Sequence, residues 1–490
     1  MKNKKLYVIF SILLVLVVIM NVTKQMQNDT FFTIATGNYI LQDGYDNMDH
    51  LTWHDNLQFY KLRWAFDVLI TLIYNTFNLT GIYVFVLIIA SITAVSLLYI
   101  LVKQKNNVVI SFICSIIAIV LLTANGFLTG RAQIMSYLFL LWEIYCIERL
   151  IETKKKRYYF VLFILSVLIV NFHASVWPMM IILIMPYLAE AILCKILKKD
   201  QFIKSKFIIE SINLKLIITA ILFMVLGSVL SPIGTYTYSY MFKVIGGISS
   251  KIIVELQTTD ILSSVGMALS IITTSIILLS TKTKISLRDF FLFIGLYILA
   301  LMAGRNMAFL YLLGMIPFAK LITNLFKTYN ETELLEKLTE FSKRTSVLLG
   351  ITVFLILIFS NNLVTRLREE YVNSKKYPIE ATKYIKENLD YANMKIYNNF
   401  NYGSYLEFQG IKAFVDSRSE IFTPQFNDTT VLEDWYQTKT GYTNYNDTFE
   451  KYGINYALIE NNEIINTYIR VDEKYEKVYE DNTFSIYVKK

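Results

Sequence analysis

Among the ionisable residues in or beside apolar runs of this sequence, five are candidates for chemistry: Asp29, Asp67, Arg131, His173 and Arg305. A charge at membrane depth is costly unless paired or hydrated, so such residues point to function by default. Asp29 opens the stretch NDTFFTIATG. A carboxylate there suits a general base for a hydroxyl nucleophile. Asn28 or Asp29 equally suits the N-cap of a helix. Arg131 follows Thr129-Gly130 and Arg305 follows Gly304. Each has two readings, a cation snorkelling to the interface and a bidentate clamp on a phosphate or pyrophosphate. His173, in VNFHASVWP, suits a helix end or a donor to a phosphate. His50 and His54 have the i,i+4 spacing of a metal pair, beside Asp49 and Asp55. Leu51 occupies the glutamate position of the HExxH signature, so this stretch reads as a hydrated loop and no metal site is assigned.

These residues need elements to hold them, and composition says which. Of 490 residues, 54% are hydrophobic and only 18% are charged, where a soluble domain runs at roughly 25%. Mean hydropathy is +0.44. An ordinary soluble enzyme, a disordered chain and a fibrous protein are excluded. The apolar residues come in blocks near the roughly 20 residues that a helical span requires. About eleven spans result, at 6–23, 80–102, 107–125, 132–148, 158–172, 174–194, 214–231, 261–281, 288–303, 306–325 and 345–361. Lys2, Lys4 and Lys5 precede the first, which carries no small-residue cleavage site and reads as an uncleaved helix.

With a cytoplasmic N-terminus, every second loop is basic: Lys103 and Lys105, residues 154–157, residues 195–206, then Lys282, Lys284 and Arg288, then Lys337, Lys343 and Arg344. That is the positive-inside pattern. An odd span count puts the C-terminal part outside. It also puts Asp29, Asp67, Arg131, His173, Arg305 and all three histidines on the outer side, where a site at the membrane boundary is the simplest reading. The net charge of +8 divides unevenly, −4 from residue 361 onward and +12 before it. The basic loops are topology signals and give no reason to expect nucleic acid. Cys114, Cys146 and Cys194 lie in or at the end of apolar runs and read as packing residues.

The expected architecture is therefore a polytopic α-helical membrane protein with a small C-terminal α/β domain. Residues 1–362 form the membrane part, including a long acidic outer loop at 24–79. Within that loop, 31–41 and 62–77 have helical spacing and read as helices along the outer interface. Residues 370–490 form the outer domain, with a helix at 379–389. Its strands are MKIYNNF, IKAFVDS, INYALIE, YEKVYE and TFSIYVK, with a hairpin turn at Glu480-Asp481-Asn482. No phosphate-binding glycine loop, zinc spacing or internal repeat is present in the sequence.

Several segments together carry a resemblance. NDTFFTIATGNYILQDGYDNMDHLTW and then LRWAFDVLITLIYN resemble the first outer loop of the GT-C superfamily of membrane glycosyltransferases. TGRAQIMSYLFLL, VNFHAS, SPIGTYTY, IIVEL and GRNMAFL follow in the order of one bacterial group, and IYNNFNYGSYLEFQGIKAFVDSRSEIF resembles its C-terminal segment. The resemblance implies a GT-C-like enzyme of the bacterial cytoplasmic membrane, N-terminus inside and C-terminal domain outside. It would move a sugar, with inversion, from a polyprenyl-phosphate donor to an envelope glycan, lipid or protein acceptor. It implies Asp29 as catalytic base and Asp49 as a second acid. Arg131, His173 and Arg305 would contact the donor phosphate. Trp64, Asp67, Asp416 and Arg418 are acceptor candidates, with Asn399 and Tyr402 beside them. Asp416 and Arg418 also read as an internal salt bridge of the small domain. Many GT-C loops carry an Asp-Glu pair where this chain has Asp29-Thr30, so a divalent metal is not indicated and no other cofactor is.

Two other functions compete. A flippase for a lipid-linked saccharide would line a path through the membrane with charge, yet apart from Glu143 the charges gather near span ends. It would also show paired broken helices in two halves. A non-catalytic assembly protein would tolerate loss of Asp29.

Overall fold

The computed structural model describes residues 3–197, 200–244, 247–261 and 264–490. The chain is largely helical and divides into two compact units. The first comprises Met1–Thr23, Val84–Thr237 and Glu255–Arg368, and the second Lys24–Tyr83, Tyr238–Val254 and Glu369–Lys490.

Each of the eleven expected apolar segments contains a helix among its described residues, that at 261–281 over Val265–Ser280; residues 262–263 lie outside the described residues. Among the described residues, Lys4–Asn21, Trp64–Lys103, Ala174–Cys194 and Thr345–Arg368 are long and apolar enough to cross a membrane, which makes this a multi-pass membrane protein. Gly304–Leu313 and Met315–Thr328 make a fifth candidate, bent by 41°. The bend has a cause: Pro317 has no N–H to give the carbonyl four residues back, and the helical ladder breaks there. Val108–Ala124, Arg157–Phe172, Leu214–Ser228 and Val265–Ser280 are apolar but shorter. Side chains close the open N–H groups at several helix starts. Asn107 Oδ1 accepts from the Val109 N–H at 2.8 Å, and Ser264 Oγ from that of Met267 at 3.3 Å.

The helix Trp64–Lys103 is two helices joined at Asn78, whose φ of +55° lies in the left-handed region. The break falls between the segments read as the loop helix 62–77 and the span 80–102.

The second unit is built on a four-stranded sheet: β1 (Ile396–Tyr397), β2 (Tyr456–Glu460), β3 (Tyr475–Glu480) and β4 (Phe484–Lys489). The order is β1-β2-β4-β3, with β1 and β2 parallel and the other pairs antiparallel. The expected hairpin joins β3 and β4, where Asp481 Oδ1 accepts the N–H groups of Thr483 and Phe484, both at 2.7 Å. Helix Ile379–Asn388 stands where it was expected.

Two expectations are corrected here. The segment IKAFVDS is not a strand; among the described residues its ladder contact is one parallel bridge, Ala413 to Thr52. Its backbone is met by side chains instead. Asn398 Oδ1 accepts from the Phe414 N–H at 2.7 Å, and Asn398 Nδ2 donates to the Val415 carbonyl at 2.8 Å. Its apolar residues look strand-like because 413–416 is buried on every side. The domain division also differs, because the outer loop groups with residues 369–490 and not with the membrane helices. The reason is burial: Phe32, Leu57 and Phe59 share one apolar core with Tyr397, Phe414, Phe422 and Trp435.

Candidate functional site

Helix Asn28–Asp43 begins with Gln27 at the cap position, so Asp29 lies in the first turn. There a carboxylate meets the positive end of the helix dipole. Residues distant in sequence hold this helix start. The Lys24 N–H donates to Glu369 Oε2 at 3.3 Å, the Met26 N–H to the Tyr371 carbonyl at 2.8 Å, and Asn28 Nδ2 to the Phe400 carbonyl at 2.9 Å. Phe31 packs among the rings of Tyr377, Tyr405 and Phe408, with centroids 4.9–5.2 Å away. Phe32 lies under two guanidinium groups, Arg63 at 4.4 Å and Arg418 at 4.9 Å. Asp29 itself is half-buried.

Gly37, eight residues after Asp29, stands at a close packing contact. A Cβ on Gly37 would stand 2.1 Å from Thr71 Oγ1 and 2.3 Å from the Asp67 carbonyl oxygen. Helix Asn28–Asp43 and the helix starting at Trp64 meet there. Trp64 is half-buried at that helix start. Asp67, one turn on, is fully buried with Arg63 Nε 3.5 Å from its Oδ1.

Asp49, Asp416 and Arg418 are brought together with Glu407. Arg418 Nη1 donates to Asp49 Oδ1 at 2.5 Å, Nε to Asp416 Oδ1 at 2.9 Å, and Nη2 to Asp416 Oδ2 at 2.5 Å and Glu407 Oε1 at 3.0 Å. Asp49 Oδ2 also accepts the Thr52 N–H and hydroxyl, at 3.1 and 2.5 Å. Burial pushes Asp49 up, but the Arg418 charge and these hydrogen bonds outweigh it and hold Asp49 below the ordinary carboxylate range. Burial, with the Asp416 charge adding to it, pushes Glu407 well above that range. All four side chains are closed off from solvent. The expectations of Asp49 as a second acid and of Asp416 and Arg418 as acceptor contacts therefore meet groups already committed to one another. A cavity of about 10 Å³, room for one water, adjoins Asp49, Lys61 and Arg418.

The two loop histidines take separate partners. His50 Nε2 is 2.7 Å from Asp46 Oδ2, and His54 Nε2 is 2.8 Å from the Phe414 carbonyl. Among the described residues no group of three or more His, Cys, Asp or Glu side chains is arranged to hold a metal ion.

In the first unit, Arg131 precedes helix Gln133–Thr153 and faces Glu255, Nη1 and Nη2 each 3.2 Å from one carboxylate oxygen. His173 ends helix Arg157–Phe172, its Nδ1 2.8 Å from the Ser136 hydroxyl. Arg305 is exposed on the turn Gly304–Asn306. Segment 255–259 runs from the partner of Arg131 to the turn of Arg305: the Gly304 N–H donates to the Gln257 carbonyl at 3.2 Å, and the Thr259 N–H to that of Leu301 at 3.0 Å. All three residues thus belong to one end of the helices of this unit.

Sequence reasoning missed a second ionic network toward the opposite end of helix Gln133–Thr153. Arg288 reaches Glu148 (3.3 Å), Glu190 (3.1 Å) and Glu210 (2.9 Å), and Lys320 reaches Glu148 (3.1 Å) and Asp289 (2.9 Å). Glu190 inside the apolar run YLAEAILC was the visible signal. Glu143, near the middle of its helix, is buried with no hydrogen-bond partner for either oxygen among the described residues.

No protein-family model matches this sequence, and no curated protein matches it. Solved structures do match in fold. The apo form of the oligosaccharyltransferase of Archaeoglobus fulgidus superposes with a TM-score of 0.61 at 11% identity, covering 93% of this chain and 69% of that one. The same archaeal enzyme, AglB, bound to an inhibitory peptide and a dolichol-phosphate, gives 0.59 at 11% identity, with the same coverage. Tethered to an acceptor peptide containing the NVT sequon, it gives 0.58 at 11% identity, over 93% of this chain and 68% of that one. The chain thus shares the fold of that archaeal oligosaccharyltransferase.

Proposed function

We propose that this protein is a membrane glycosyltransferase. It moves a sugar from a polyprenyl-phosphate donor to an envelope glycan, lipid or protein acceptor on the outer face of a bacterial cytoplasmic membrane. All eleven apolar helices cross, with the N-terminus inside and the second unit outside. The observation that carries the reading is the fold, similar over 93% of the chain to an oligosaccharyltransferase that has been solved with a dolichol-phosphate and with acceptor peptide.

Asp29 is the base in this reading. Its position supports that role: half-exposed, in the first turn of a helix whose start is tied down at three backbone or amide contacts. The acceptor hydroxyl gives its proton to Asp29, its oxygen bonds the anomeric carbon, and the bond from that carbon to the donor phosphate oxygen breaks. The polyprenyl phosphate leaves as an anion. Arg131, His173 and Arg305 stabilise the charge developing on it. Trp64 contacts acceptor. Asp49, Asp416 and Arg418 hold the loop and the sheet domain as one body.

The test compares wild type, a deletion and Asp29→Asn at matched protein level, by mass spectrometry of membrane lipids and envelope glycans. Deletion and Asp29→Asn should both lose one sugar increment and accumulate a polyprenyl phosphate carrying that sugar. Should Asp29→Asn match wild type while the deletion does not, the flippase or assembly reading replaces this one.

A further inference from the structure

Arg131, one of the donor-phosphate candidates, is held by a carboxylate. Its Nη1 donates to Glu255 Oε1 and its Nη2 to Glu255 Oε2, both at 3.2 Å. These are the two parallel bonds by which a guanidinium grips a carboxylate. A phosphate offers the same fork two oxygens in the same way. Glu255 thus takes the position on Arg131 that an anionic phosphate would take.

The pair is one that can exchange. Arg131 has 21% of its side chain exposed and Glu255 has 54%. An ion pair open to solvent contributes little, because water competes for both charges. The other arginine network of this unit is different. Arg288 and Glu190 are buried, and parting them would strand a charge. No such penalty holds Arg131 to Glu255.

The backbone beside Glu255 is anchored independently of the pair. The Gly304 N–H donates to the Gln257 carbonyl at 3.2 Å, and the Thr259 N–H to the Leu301 carbonyl at 3.0 Å. A Cβ on Gly304 would stand 3.5 Å from Thr259 Oγ1, so the two strands of backbone are in close contact there. The Glu255 carboxylate can therefore leave Arg131 by side-chain rotation while residues 257–259 stay against the turn that carries Arg305. His173 is tied to the same end of the unit, its Nδ1 2.8 Å from the hydroxyl of Ser136 in the first turn of helix Gln133–Thr153.

We propose that Glu255 is a placeholder for the donor phosphate: it pairs with Arg131 until a polyprenyl phosphate displaces it. The proposal rests on the reading of Arg131 as a donor-phosphate contact. Glu255 keeps the guanidinium fork aimed and closed to anions that bind it less well than a carboxylate does. Donor binding then includes breaking the pair, and the apparent affinity is lowered by the fraction of Arg131 that Glu255 holds.

The test measures binding of farnesyl phosphate, with farnesol as the uncharged control, to the full chain in phosphatidylcholine nanodiscs by microscale thermophoresis. Glu255→Gln should tighten farnesyl phosphate binding about two- to fivefold, the weight of an exposed pair, and leave farnesol unchanged. Glu255→Ala, which removes the amide as well, should do the same. Arg131→Gln should weaken farnesyl phosphate binding, and in that background Glu255→Gln should change nothing. Unchanged or weaker binding in both Glu255 variants overturns the proposal and leaves the donor reading standing. So does a tightening that persists without Arg131, which would be general charge repulsion. If wild type binds farnesyl phosphate no better than farnesol and Arg131→Gln matches it, the donor reading itself is rejected, and the proposal with it.

Discussion

Arg418→Met tests the loop-to-domain staple most directly. Methionine keeps much of the volume between Phe32 and Phe59 but removes four charge-assisted hydrogen bonds. It strands Asp49, Asp416 and Glu407, whose side chains are all 0% exposed. Taking one partner from a buried ion pair costs about 3–5 kcal/mol, because the charges left behind remain desolvated. Glu407 softens the effect, since its raised affinity for a proton lets it sit neutral. Asp49 keeps the Thr52 donors and Asp416 keeps the Arg418 N–H at 2.7 Å. The lower half of the range, about 3–4 kcal/mol, is therefore expected. In a unit of about 200 residues each kcal/mol moves the midpoint by about 2–4 °C, so the melt should fall by roughly 6–16 °C. Tryptophan fluorescence reads it, because Trp53 and Trp435 both pack in this core. Hydrogen exchange at the Thr52–Ala413 bridge should rise with it. Asp49→Asn combined with Arg418→Met should cost less than the two singly summed, because no stranded charge remains on the loop. A variant melting within about 2 °C of wild type, or strict additivity in the double mutant, refutes the staple.

Glu407→Gln should flatten the pH dependence of the same melt. The folded state raises the proton affinity of Glu407, so its contribution is fully present below the unfolded carboxyl value and is lost as pH rises through the folded value. Glutamine keeps an acceptor for Arg418 and brings its own N–H toward Asp416; its melting temperature should match or exceed wild type at alkaline pH, and a uniform drop at every pH would sink the argument. For Asp49 the sign is reversed: its folded value is lowered, so its contribution is lost as pH falls, and Asp49→Asn should remove that acid-side loss. Gly37→Ala should destabilise by at least the roughly 1–3 kcal/mol of overpacking, with only partial rescue by Thr71→Ala, since the Asp67 carbonyl contact at 2.3 Å remains; a melt equal to wild type would mean that the helices separate freely. In the first unit Arg288→Met takes the cation from buried Glu190, while Glu148 keeps Lys320, and should cost about 3–5 kcal/mol, read as lost folded yield in detergent. Lys477→Met, in a solvent-exposed pair with Glu480, should leave the folded yield unchanged, and equal losses in the two would refute burial as the cause.

The membrane helices were legible because hydrocarbon demands a long apolar run for each crossing, and nothing else in a sequence looks like that. The break at Asn78 was legible for a related reason, since the apolar run on either side changes character there. The hairpin after Glu480 was legible from local turn chemistry. What could not be read is which distant segments share a core. Phe32, Leu57 and Phe59 sit in a loop bracketed by apolar helices, and chain proximity assigned them to the membrane part. Their burial partners Phe414, Phe422 and Trp435 lie more than 350 positions away, beyond any periodicity argument. IKAFVDS failed for the opposite reason: alternation was present, but Asn398 and Asp416 supplied the hydrogen bonds that a neighbouring strand would have.

The candidate site shows the same division more sharply. Residue type and expected side of the membrane make Asp29, Arg131, His173 and Arg305 candidates, because expensive charges are few in an apolar chain. They were not enough to say which charges are already spent. Asp49, Asp416 and Arg418 look like Asp29 and Arg305 in sequence, yet the first three are closed on one another while Asp29 is half-exposed and Arg305 exposed. Glycine spacing carried more than it seemed to. Gly37, eight residues after Asp29, and Gly403, four after Asn399, are both close contact points. At Gly403 an added Cβ would stand 1.9 Å from the Val415 carbonyl. The residue eight positions before the first of these glycines is carried on a helix that cannot slide without a clash. That fixed helix, with a half-exposed carboxylate in its first turn, is the physical case for Asp29 over Asp49 and Asp416, whose side chains are closed off from solvent.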